Sequence, residues 1–188
     1  PKSIEKEILT NYRKLGQANK QKNLSVAIRS SATAEDLPDA SFAGQQETFL
    51  NVRGEKEVLK DVKRCIASLF NARAISYREG MGFDHMDVAL SVTIQEMVHA
   101  DTGSSGVMFT MDTESGFRGV TLVTSTYGLG EYVVQGRIVP DQFYIFDEGL
   151  RKGKKSIISR KLGSKEVKLV YGKTGGVKQE KVSKTARD

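Results

Sequence analysis

The sequence predicts an α+β fold, and three observations predict it. Apolar residues recur at helical spacing through about residue 87, then change to strand-like runs from Val88 onward. A length of 188 residues with 38% hydrophobic content is enough for one domain, or for two small subdomains sharing a core. The change of period sets the expected organisation: a helix-containing part over 1–87 and a sheet-rich part over 88–188.

Each element has its own signal. Ile4, Ile8, Tyr12 and Leu15 follow Ser3, a candidate N-cap, at helical spacing that stops at Gly16. After the polar run 17–23, residues 24–28 have the length and composition of a buried strand that delivers Arg29 at its end. Residues 55–79 read as the longest helix, with Val58, Val62, Ile66, Leu69 and Phe70 on one stripe and Gly80 and Gly82 as its stop. Apolar or alternating runs then predict strands over 88–97, 106–111, 120–125 and 142–146. Weaker strand signals around Ile157, over 167–170 and over 177–182 suggest basic hairpins.

Composition excludes several classes. No run of about 18 apolar residues predicts a membrane span, and residues 1–7 lack the apolar core of a signal peptide, so a soluble, cytoplasmic protein is expected. One cysteine, Cys65, cannot form an internal disulfide, and with two histidines it makes a poor zinc set. The net charge of +6 is concentrated at the end: residues 151–188 hold thirteen Lys/Arg against three acidic residues, which leaves −4 for 1–150. That basic stretch alternates Lys with aliphatic residues and has no aromatic stacking series, so a solvated face is expected rather than a nucleic-acid partner.

Three segments suggest chemistry. Arg29 is followed by a run of small and hydroxyl residues, Ser30, Ser31, Ala32 and Thr33, and then by Phe42, Ala43, Gly44, Gln45, Gln46, Glu47 and Thr48. A fixed guanidinium beside small residues suits phosphoryl oxygens, because Arg binds them bidentately and small residues let backbone N–H groups approach. On residue type alone, a surface ion pair is the commoner role of such an Arg, and residues 42–46 fit a tight turn equally well. Gln95, Glu96, Met97 and Val98 end one strand beside a Gly-led strand at Gly106. Such an edge can offer backbone groups to a planar base with Met97 packed on it, and it can equally be plain core. The turn Gly128, Leu129, Gly130, Glu131 has neither the spacing of a dinucleotide fingerprint nor the ending of a P-loop.

Taken together in order, these segments resemble one family. The run from Arg29 to Val52, then Ser105 to Phe109 with Asp112 to Phe117, then Gly128 to Glu131, then Pro140 to Phe143, is similar to the ATP-binding domain of phosphoenolpyruvate synthases (pyruvate, water dikinases). It resembles pyruvate phosphate dikinase and rifampin phosphotransferase more loosely. The match covers about residues 25–147, and 1–24 and 148–188 carry no motif of it.

The resemblance implies an ATP-grasp-type fold. It also implies a full-length enzyme that turns pyruvate, ATP and water into phosphoenolpyruvate, AMP and phosphate through a phosphohistidine on a mobile domain. Arg29 is then the residue that contacts the nucleotide phosphates and carries the catalytic contribution, and Gly44, Gln45, Gln46, Glu47 and Thr48 cover them. Gln95, Glu96, Met97 and Val98 become the adenine side, with backbone contacts at Glu96 and Val98. Glu131 is a further carboxylate in a matching turn, with structural support of that turn as the competing role. Magnesium accompanies ATP, and the metal-binding strands and a Gly-Gly-Lys segment of the family have no counterpart here, so metal ligands are expected outside these residues. The partners implied are the phosphohistidine-carrier and pyruvate-binding domains of the full-length chain. His85 and His99 match no phosphohistidine motif, and the 188 residues alone are expected to be inactive. Two other readings compete: another dikinase built on the same ATP-binding domain, and a binding module working through its basic tail.

Overall fold

The computed structural model describes residues 1–32, 36–37, 40–41 and 46–187, with 36–37 and 40–41 described by their backbone alone. Two compact units emerge, one of residues 1–98 with 172–176 and one of 99–171 with the chain from Val177. Helices and antiparallel sheets make up both, which is the expected α+β class.

The first unit begins with α1 (Lys2–Ala18). The helix starts before Ser3, and its N-cap position, Pro1, has no side-chain cap, so Ser3 is not the cap that the pattern suggested. It also runs past Gly16. That glycine answers a close approach: a Cβ there would lie 2.5 Å from the carbonyl oxygen of Gln21, whose amide returns to the Gly16 carbonyl at 2.8 Å. Next come β1 (Val26–Ala32), the short hairpin β2 (Asp36–Leu37) and β3 (Ala40–Ser41), and β4 (Phe49–Val52).

The expected long helix is two helices. α2 (Glu55–Ala67) passes into a 3-10 turn over Ser68–Phe70, and α3 (Ala72–Met81) follows. Local side chains make the break: the Ser68 hydroxyl donates to the Cys65 carbonyl at 2.7 Å, and the Asn71 side chain caps α3 by accepting from the Ala74 amide at 2.8 Å. Gly82, with φ of 74°, terminates α3 in the left-handed conformation, while Gly80 lies inside it.

β5 (Leu90–Glu96) pairs with β1 along its whole length, from Val26↔Glu96 to Ala32↔Leu90. The sheet order is β4-β1-β5, all antiparallel. Val26 and Ile28 turn to one face and form the core with Tyr12, Leu24, Val52, Val58, Val62 and Cys65 from the helices and flanking strand. Side-chain alternation therefore puts Ala27, Arg29 and Ser31 on the other face. Tyr12 ties the unit together: its hydroxyl donates to the Leu24 carbonyl at 2.8 Å and accepts from the Gly54 amide at 3.1 Å.

In the second unit, β6 (Ser104–Phe109), β7 (Val120–Tyr127), β8 (Asp141–Phe146) and β9 (Ile157–Lys161) form an antiparallel meander in that order. Short helices α4 (Glu131–Val134) and α5 (Asp147–Arg151) flank β8, and β10 (Val167–Tyr171) pairs with β11 (Val177–Lys181) as a hairpin. Strict alternation in β7 buries Val120, Leu122, Thr124 and Thr126 on one face. Among the described residues no helix is long and apolar enough to cross a membrane.

Candidate nucleotide site

Arg29 is the fourth of seven residues in β1, not the last, because β5 keeps pairing with β1 as far as Ala32. Its partner across the ladder is Thr93, and the flanking pairs on the same face are Ala27↔Gln95 and Ser31↔Ser91. Directly opposed residues of an antiparallel pair share a face, so Arg29 stands between Thr93 and the neighbours Ser91 and Gln95, all of them exposed. The Ser91 hydroxyl donates to the Ser31 carbonyl at 3.2 Å. Among the described residues the Arg29 guanidinium has no hydrogen-bond or ion-pair partner. An exposed, unpaired cation among hydroxyl and amide side chains can meet an anion without first breaking a salt bridge.

β5 lies at the edge of its sheet. The Met97 amide donates to the Ser25 carbonyl at 3.0 Å, which fixes the phase of the ladder. Backbone groups alternate in direction along an antiparallel strand. Those of Met97 and Gln95 therefore face β1, and those of Glu96, Ile94 and Val92 face the open edge. The Met97 side chain is half-buried, and Val98 ends the unit with 77% of its surface exposed.

Of the residues expected to cover phosphates, Gly44 and Gln45 lie outside the described residues. Gln46 is half-buried, and its side-chain nitrogen is buried without a partner. The end of α2 holds the next residue: the Glu47 amide donates to the Ser68 hydroxyl at 3.1 Å, and the Glu47 carbonyl accepts from the Cys65 thiol at 3.5 Å. Thr48 is exposed. Burial, with Glu47 nearby, pushes the Cys65 thiol above its usual range, and the protein's one cysteine is packed in the core of the first unit.

Glu131 lies in the second unit, at the first position of α4, and accepts from the Gln135 side chain at 2.8 Å. The turn before it is built by close backbone approach. Gly128 has φ of 74°, and a Cβ there would come within 2.3 Å of the Leu169 carbonyl oxygen, which accepts from the Leu129 amide at 2.9 Å. Two other motif segments also have architectural partners. Asp112 closes its own turn, accepting from the Ser115 amide at 3.1 Å and from the Ser115 hydroxyl, and it receives the Tyr144 hydroxyl at 3.3 Å. Asp141 pairs with the ammonium group of Lys165, which is 2% exposed, and accepts from the Gly163 amide at 2.8 Å.

The two histidines are occupied by neighbours. His85 accepts from Arg78 Nε at 3.0 Å and faces Glu79 at 3.2 Å, and His99 meets the Tyr171 ring edge-on at 5.6 Å. Among the described residues no group of three or more His, Cys, Asp or Glu is placed to hold a metal ion. Sequence reasoning missed two residues beside Arg29 and, away from them, one buried cation. Thr93 and Ser91 needed the strand register, which no single segment encodes. Arg78 is fully buried, with Nη1 and Nη2 lacking partners, and its only signal was the i, i+4 spacing from the buried Ala74.

Curated relatives named phosphoenolpyruvate synthase are 52% identical over 187 residues in Helicobacter pylori, 57% over 172 in Pseudomonas aeruginosa and 56% over 170 in Escherichia coli. These alignments take in 100%, 92% and 88% of this chain but only 23%, 22% and 22% of the relatives, so the chain spans under a quarter of their length. The family described as "Pyruvate phosphate dikinase, AMP/ATP-binding domain" matches residues 1–188, and the chain belongs to that family.

Proposed function

We propose that this chain is the ATP-binding part of a phosphoenolpyruvate synthase, with an ATP-grasp-type arrangement in which the exposed face of β1 receives the nucleotide phosphates. The observation that carries the reading is the unpaired guanidinium of Arg29 between Ser91, Thr93 and Gln95. Arg29 neutralises and orients phosphoryl oxygens, Thr93 adds a hydroxyl within the same face, and residues 44–48 close over them. In phosphoryl transfer such positioning and charge neutralisation supply most of the catalysis. The outward backbone groups of Glu96, followed by Val98, meet the adenine edge, with Met97 and Gln95 beside it. Glu131 serves the glycine turn through its Gln135 contact.

The full-length reaction consumes pyruvate, ATP and water and yields phosphoenolpyruvate, AMP and phosphate, through a histidine on a separate carrier domain and a pyruvate-binding domain. Magnesium belongs to that chemistry, with its ligands in other parts of the full-length chain. The 188 residues alone are inactive in this reading, and the enzyme works in the cytoplasm.

Photolabelling of the full-length protein with 8-azido-ATP tests the assignment. Label recovered in the peptide spanning 90–98, and suppressed by ATP, is expected. Label confined to other parts of the chain would remove β5 from the site.

A further inference from the structure

The antiparallel meander of the second unit ends on β9, and all five residues of that strand are exposed. The Phe146 amide donates to the Ser156 carbonyl at 2.7 Å, so by alternation the backbone groups of Tyr144 and Gln142 also turn toward β9, where they face Ser159 and Lys161. The N–H and C=O of Arg160 therefore point away from the sheet. Around this edge the chain carries charge of one sign: residues 150–162 hold six Lys/Arg and no acidic residue. Lys152 is paired with Glu148, while Arg151, Lys154, Lys155, Arg160 and Lys161 are exposed and, among the described residues, have no ion-pair partner. Aliphatic side chains stand among them, Leu150 at 60% exposure, Ile158 at 63% and Leu162 at 62%.

Open backbone groups, unpaired cations and exposed aliphatic side chains together select the partner. An open strand edge accepts another strand. A second copy of β9 would lay cations against cations, which is destabilising. Single-stranded RNA is held largely by stacking on aromatic side chains, and residues 150–162 contain none. An extended acidic segment meets all three features: its main chain pairs with Arg160, its carboxylates neutralise Arg160, Lys161 and the lysines before the strand, and its apolar residues cover Ile158 and Leu162. We propose that the β9 edge is a docking surface for such a segment, rich in Asp or Glu with aliphatic residues among them, supplied by a partner protein. The register irregularity at Ile158 places the added strand along Ser159 to Leu162. No residue of the nucleotide site takes part, so the docking does not depend on that assignment.

Amide hydrogen exchange in the full-length protein, resolved to single residues, tests this with a short synthetic peptide that alternates glutamate with valine. The Arg160 amide is expected to exchange freely without the peptide and to be protected with it, while the Ser159 amide, which faces β8, stays slow throughout. Reversing both exposed charges, Arg160→Glu with Lys161→Glu, is expected to weaken peptide binding about tenfold or more, and a slow Ser159 amide in that variant shows that the strand is intact. A peptide alternating lysine with valine should not bind. Four outcomes overturn the proposal: an Arg160 amide already protected without peptide, acidic and basic peptides bound alike, acidic peptide bound with no change at Arg160, or binding of oligouridylate or phosphatidylserine vesicles where the acidic peptide fails.

Discussion

The side chain of Asn51 donates a 2.7 Å hydrogen bond to the carbonyl oxygen of Gly176, and the Gly176 amide returns one of 3.1 Å to the Asn51 carbonyl. Asn51 is fully buried and has φ of 54°, and its side chain has four contacts. It also donates to Gly172 and accepts from Ser25 and Arg53. Asparagine tolerates the left-handed conformation and has donors and an acceptor together, which explains why the turn 172–176 clusters with the strands of the first unit.

Replacing Asn51 should therefore do two kinds of damage. Asn51→Ala removes the side-chain bonds to the turn, takes the acceptor from the buried Ser25 hydroxyl and adds backbone strain, for a loss of about 2–4 kcal/mol. Asn51→Gly relieves only the strain, so it should lie between wild type and alanine in urea unfolding. Equal stability of alanine and wild type would show that the turn is not held this way.

Asp141 and Lys165 form a second buried lock, in a segment that resembles the dikinase family. Removing the carboxylate leaves an ammonium group that is 2% exposed with the Gly163 carbonyl but no counter-charge, and breaking a buried pair this way costs about 3–5 kcal/mol. Asp141→Ala should show that loss in thermal or denaturant unfolding. The double variant Asp141→Leu with Lys165→Met should recover much of it, since no charge is then left buried.

Acid should loosen the turn at Asp112. Hydrogen bonds from Ser115 hold this carboxyl below the ordinary Asp range, so its contribution is fully present above the unfolded value of about 3.9 and is lost as pH falls through the lower folded value. A carbon-detected NMR titration should place Asp112 below a free aspartate, and Ser115→Ala should bring it back up. An unchanged titration in Ser115→Ala would assign the shift to another cause.

The class of fold and most elements were legible from period alone, because Val26, Ile28, Val58 and Val62 mark their faces without ambiguity. Several boundaries were not. The stripe through Ile66, Leu69 and Phe70 continues the helical pattern past residue 67, yet α2 ends at Ala67, and of the three only Leu69 is buried, Ile66 and Phe70 being about half exposed. Arg29 reads as a strand end when only the apolar run 24–28 is considered. Its mid-strand place depends on pairing with β5, some sixty residues away in sequence. The candidate site had the same limit: Arg29 was visible as a residue type, while Thr93 and Ser91 beside it required the register, and Gly44 and Gln45 lie outside the described residues.

Calorimetric titration with ATP and magnesium, of this chain, of the full-length protein and of full-length Arg29→Ala, tests the central claim most directly. The full-length protein should bind, the 188-residue chain should bind weakly or not at all, and Arg29→Ala should cost about 1.5–3 kcal/mol, as expected for hydrogen bonds to a charged group. Full-strength binding by full-length Arg29→Ala would contradict the account, because it would place the phosphates away from β1.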